Sequence, residues 1–135
     1  MTRHTPNPFL NQDSVFRSFN RAKIVNLPGA DPEVIGKNGF QLLASSSLRE
    51  DIRPHAETLH LNTDAPDLFF RFEQCFFSPI TAPLAQHLAQ AYGRKLGFLL
   101  AMIWRGDAEN HPARPEWTDA HWRFWPSITE IVFGG

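Results

Sequence analysis

Three potential metal ligands, His55, Glu57 and His60, lie close together in the sequence. On a strand His55 and Glu57 would face one way and His60 the other, and a helix would need a spacing they lack, so no metal geometry follows. His111 and His121 stand apart, and His4 and His87 read as solvent-facing. Cys75, the single cysteine, sits in an aromatic run where a thiol packs inertly, and no G-x-S-x-G elbow presents a serine nucleophile. Asp64 and Asp67 form a possible carboxylate pair, but the same spacing fits capping and dipole stabilisation at a helix start. Gly36, Lys37, Asn38 and Gly39 superficially suggest a phosphate loop; they lack the Walker spacing and the Lys-Ser/Thr pair, and they read as a turn. Trp117, His121, Trp122, Arg123, Phe124 and Trp125 form the densest aromatic cluster. It suits either burial in a core or interface, or stacking on a ring-shaped ligand, with Arg123 gripping an anion.

Composition narrows the classes of function. Thirteen Lys and Arg against 14 Asp and Glu give a net charge of -1, so no global field draws the chain to nucleic acid or an anionic membrane. One cysteine among 135 residues excludes an internal disulfide and the paired cysteines of zinc ribbons. The N-terminus lacks an apolar core of signal-peptide length and no run approaches the ~20 apolar residues of a membrane span. A cytoplasmic location is the expectation. Twelve Phe and 4 Trp against a single Tyr are an aromatic load that needs a large partner surface.

The elements that must position these residues read as follows. Residues 1 to 30 form an irregular arm that packs through Phe9, Phe16 and Phe19, with one short strand at Ala22 to Leu27. Asp31-Pro32 opens a helix that Gly36 and Gly39 end quickly. Ser47 with Glu50 has capping-box spacing, and Pro54 limits that helix to about two turns. Ala56 to Leu61 reads as a strand. Asp64 with Asp67 starts a helix carrying Leu68, Phe69, Phe72, Cys75 and Phe76, although the alternation over Leu68 to Phe77 also permits a strand. Over Thr81 to Arg105, Leu84, Leu88, Tyr92, Leu96, Leu99 and Ile103 recur at helical steps. A second stripe, Ala85, Ala89, Gly93, Gly97 and Ala101, predicts that another backbone packs very close. Gly106 to Pro115 is a polar loop, Glu116 to Trp125 a short helix, and Ile128 to Phe133 a buried strand.

Residues 81 to 135 resemble the sugar kinases of the actin, hexokinase and Hsp70 superfamily, especially the ROK group. The small-residue helix AQAYGRKLGFLLAMI followed by ITEIVFGG is similar to that family's helix, buried strand and adenosine motif. The resemblance implies an α/β, ribonuclease H-like fold, ATP as cofactor, and Gly134 and Gly135 at the nucleotide pocket. The family's Asp-x-Gly-x-Thr phosphate loop, its catalytic aspartate context and its ROK zinc motif are absent, so the implied protein is a partial actin-like ATPase domain. It would contribute one wall of a nucleotide cleft, with a nucleotide or sugar as partner, and would not transfer phosphate alone. The reading from residues alone is a small α+β single domain acting as a non-catalytic interaction module. Such a module would pack through the Ala/Gly strip or the Trp-rich segment, in a homo-oligomer or against another domain, whereas the partial-domain reading implies an apolar patch exposed near residues 128 to 133 and the Trp-rich segment.

Overall fold

A computed structural model describes residues 5–133. Among them there are seven α-helices, several 3₁₀ turns, and no strand; the only ladder contact is an isolated bridge between Lys23 and Asn38. The α/β ribonuclease H-like expectation and its α+β alternative are therefore both overturned. The chain divides into two compact units, Met1–Phe40 with Gly97–Gly135, and Gln41–Leu96.

The second unit holds α3 (Ser45–Ile52), α4 (Ala56–Leu59), α5 (Leu68–Gln74) and the first part of α6 (Ala82–Arg105), preceded by α2 (Gly39–Leu43) at its border; α1 (Ser14–Arg17) and α7 (Asp119–Phe124) belong to the first unit. Its core joins Ile52, Leu59, Leu68, Phe72, Cys75, Ala85 and Leu88. Pro54 converts the end of α3 into a 3₁₀ turn, Arg53–His55. The expected strand over 56 to 61 is instead α4, closed by a Schellman pattern. His60 is left-handed at φ 56°, its N–H bonds Glu57 O at 3.1 Å, and Leu61 N–H bonds Ala56 O at 2.8 Å. The open choice over 68 to 77 resolves as helix followed by a 3₁₀ turn, Cys75–Phe77.

Helix α6 forms where its apolar periodicity requires, and it ends where Gly106 takes φ 62° and its N–H bonds Met102 O. Its small-residue stripe departs from expectation. Ala85 is buried in the core, but a Cβ on Gly93 or Gly97 would meet nothing within 4 Å. Among the described residues no backbone comes within 4 Å of a Cβ at those two glycines.

In the first unit the N-terminal arm packs through phenylalanine as expected. Phe9, 2% exposed, lies within 6.2 Å, ring centre to ring centre, of Phe16, Trp117, His121, Phe124 and Trp125. The predicted strand at Ala22 to Leu27 contracts to a few bonds across the Gly36 turn. Ile24 N–H bonds Lys37 O at 3.0 Å, and Gly39 N–H bonds Ala22 O at 3.0 Å. Gly39 is required there because a Cβ would run into the Phe19 carbonyl, 2.9 Å from its carbon, and into Leu99 Cδ2 at 3.1 Å. The loop expected over 106 to 115 contains a 3₁₀ helix, Ala108–Ala113, and α7 is capped by Thr118 and His121. Residues 128–133 are extended but lie in no sheet, because among the described residues no second strand exists for them to pair with.

Candidate functional site

The site is built by the first unit's aromatic residues. Leu100, Ile103 and Trp104 share one face of α6 at helical spacing, Phe19 projects from the 3₁₀ turn Phe19–Arg21, and Trp125 opens the 3₁₀ turn Trp125–Ser127. With Ile128, Glu130, Ile131 and Val132 they enclose a hollow of about 290 Å³. Phe19 and Trp125 meet edge to face at 4.9 Å. Pro126 fixes the turn that carries the chain from α7 onto this hollow.

Chemically the lining is apolar except for one carboxylate, Glu130, which is exposed. The Trp125 ring lines the hollow, and its Nε1 is buried with no hydrogen-bond partner among the described residues. A buried indole N–H left without a partner costs roughly 1–3 kcal/mol. The lining of the hollow suits an apolar side chain.

Behind the hollow the aromatic cluster is locked by polar bonds. The Phe16 carbonyl accepts hydrogen bonds from Trp117 Nε1 at 2.7 Å and from Arg114 Nη2. Arg114 is 1% exposed, lies 4.4 Å over the Trp117 ring and pairs through Nε with Glu116 at 3.1 Å. Burial pushes its guanidinium below its ordinary value, against the pull of Glu116, and neighbouring Arg21 adds to the shift. His121 accepts the Thr118 N–H on Nδ1 at 3.0 Å, and burial pushes its imidazole below the ordinary histidine range, partly offset by a bond to the Pro8 backbone. Asn110 ties down residues 25 and 26 through its carboxamide. Nothing in the sequence near Asn110, Arg114 or Phe16 signals these contacts, which join positions more than eighty residues apart.

The residues singled out by spacing fare differently. His55 is half-buried, Glu57 exposed and His60 spent as a helix stop, and among the described residues no group of three His, Cys, Asp or Glu is placed to hold a metal. Cys75 is a buried free thiol whose Sγ contacts Leu59 O and Arg71 O. Asp67 makes no capping bond and pairs with Arg71 Nε at 2.8 Å, while Asp64 lies 3.7 Å from Arg53 Nη2, so each carboxylate is engaged by an arginine rather than by the other. Of Gly36 to Gly39 only Gly36 lies in a turn, at φ 85°, while Asn38 joins the bridge to Lys23 and Gly39 opens α2. Trp117, His121 and Trp122 are buried, and Trp122 stacks on His111 at 4.4 Å, so most of the aromatic cluster is core rather than a ligand platform. His4, Gly134 and Gly135 lie outside the described residues. The strand that would lead into an adenosine motif at those glycines is not formed.

Among the described residues no helix is long and apolar enough to cross a membrane. No protein-family model matches the chain, and no curated protein or solved structure matches it significantly.

Proposed function

We propose that this chain is a protein-interaction module whose Trp-lined hollow receives an apolar side chain from an extended segment of a partner. The observation that carries this reading is the hollow itself, an apolar cavity of about 290 Å³ walled by Phe19, Leu100, Ile103, Trp104 and Trp125. Anchoring by a buried aromatic pocket with a polar rim is how compact interfaces concentrate their binding energy. Phe16, Arg114, Trp117 and Phe9 hold the wall rigid from behind, which lowers the entropy lost on binding.

The test is selection of a random heptapeptide library against the purified chain. Enrichment of peptides with a branched or aromatic apolar anchor, whose binding is lost in Leu100→Glu but kept in the exposed-surface variant Glu57→Gln, supports the reading. Failure to enrich, or binding indifferent to Leu100→Glu, contradicts it. Circular dichroism and the thermal midpoint of Leu100→Glu establish that the variant is folded.

A further inference from the structure

Residues 128–133, Ile-Thr-Glu-Ile-Val-Phe, combine properties that do not suit a finished surface. The segment is extended, beginning at Ile128 with φ -80° and ψ 121°, and after Ile128 its backbone makes no hydrogen bond to any described residue. Ile131, Val132 and Phe133 are 43%, 83% and 69% exposed. Isoleucine, threonine, valine and phenylalanine are strong strand formers, and the segment contains neither Pro nor Gly to blunt an open edge. A row of free N–H and C=O groups on an extended chain is satisfied most fully by another extended chain.

The geometry points to a second copy of this chain as the partner: two copies associate by antiparallel pairing of their 128–133 segments. This deepens the interaction reading above and rests on it, because Ile128, Ile131 and Val132 already line the hollow that receives the apolar side chains. Exchange of these segments between copies keeps every contact with the hollow, since an identical segment takes the vacated place, and adds the backbone ladder between them. The 3₁₀ turn Trp125–Ser127, with Pro126 inside it, is the hinge.

Charge and side-chain pattern favour this occupant. A register centred on Ile131 sets Ile131 against its twin and Phe133 against Thr129 on one face, and Glu130 against Val132 on the other. A register centred on Glu130 is excluded by like charges directly opposite each other. The face carrying Thr129, Ile131 and Phe133 combines β-branched and aromatic side chains that pair well across strands.

Size-exclusion chromatography with light scattering, across a hundredfold range of protein concentration, provides the test. The expected result is a dimer that dissociates on dilution, and a shift to monomer at all concentrations in Ile131→Pro, which removes a ladder donor, and in Val132→Asp. Both variants lie in an exposed segment, and unchanged circular dichroism shows that each is folded. A wild-type chain that is monomeric throughout, or a dimer untouched by both substitutions, overturns the inference. The interaction reading is judged separately by whether library peptides bind through the hollow in the Thr129→Pro variant, which removes a ladder donor at a residue outside the hollow's lining.

Discussion

The carboxamide of Asn110 bonds both polar groups of the Asn26 backbone: Oδ1 accepts its N–H at 2.8 Å and Nδ2 donates to its carbonyl at 2.8 Å. The same Oδ1 accepts the Val25 N–H at 2.8 Å. Asn110 is 1% exposed, so one side chain in the 3₁₀ helix satisfies the backbone of residues 25 and 26, beyond the pairing of residues 22–24 with residues 37–39.

Asn110→Ala removes all three bonds and opens a small void. At about 1 kcal/mol for each bond, the variant should lose ~3 kcal/mol of stability in a urea titration. Asn110→Asp sets a carboxylate oxygen against the Asn26 carbonyl that Nδ2 now serves and buries a charge, so it too should lose stability. Equal stability of Asn110→Ala and wild type would show that these bonds contribute nothing.

Glycine substitutions should separate by sign. At Gly39 a methyl group meets the Phe19 backbone, so Gly39→Ala should destabilise by about 1–3 kcal/mol. At Gly93 and Gly97 the space is open and both sit inside α6, so each Gly→Ala change should stabilise by roughly 0.5–1 kcal/mol. Thermal unfolding of the single variants distinguishes them, and a loss of stability at Gly93 or Gly97 would mean that something does pack against that stripe.

His121 is buried, accepts the Thr118 N–H, and titrates below the ordinary histidine value. The unfolded chain therefore takes up this proton first as pH falls. The stability His121 contributes is intact above about pH 6.5 and is lost progressively as pH falls below that value toward the depressed folded pKa. His121→Gln should flatten the stability profile between pH 7 and pH 5 relative to wild type. An unchanged slope would contradict the assignment.

The ATP expectation has its own measurement. A nucleotide that bound the folded chain would raise its unfolding midpoint. The interaction reading predicts no shift with millimolar ATP and magnesium, and a robust shift would restore the nucleotide reading.

What the sequence discloses and what it conceals follow from the range of the forces involved. Helix α6 was legible because its apolar period is written into neighbouring residues, and so was the packing of the arm through Phe9. The 56 to 61 segment was misread because Leu59 and Leu61 mimic strand alternation, whereas the deciding feature is the left-handed His60 stop. Ile128 to Phe133 has strand composition and extended backbone, but a sheet needs a partner that local composition does not reveal. The Trp-rich segment was recognised as important, but its division into buried Trp117 and Trp122 and hollow-lining Trp125 depends on contacts with Phe9 and Phe19 far away in the chain. The carboxylates Asp64 and Asp67 were assigned to capping, and neighbouring arginines proved to be their partners.

The central claim is that the hollow binds an extended apolar segment, and the tryptophan indole N–H resonances of the ¹⁵N-labelled Thr129→Pro variant, altered outside the hollow's lining, report on it directly. Residues 128–133, added as a free capped hexapeptide, should move the Trp104 and Trp125 indole signals most, assigned through Trp104→Phe and Trp125→Phe. Those of Trp117 and Trp122, buried behind the wall, should move least. Saturable shifts confined to Trp104, Trp125 and their neighbours are the predicted result. Indole signals that stay fixed at millimolar peptide, or shifts centred on the Gln41–Leu96 unit, would contradict the account.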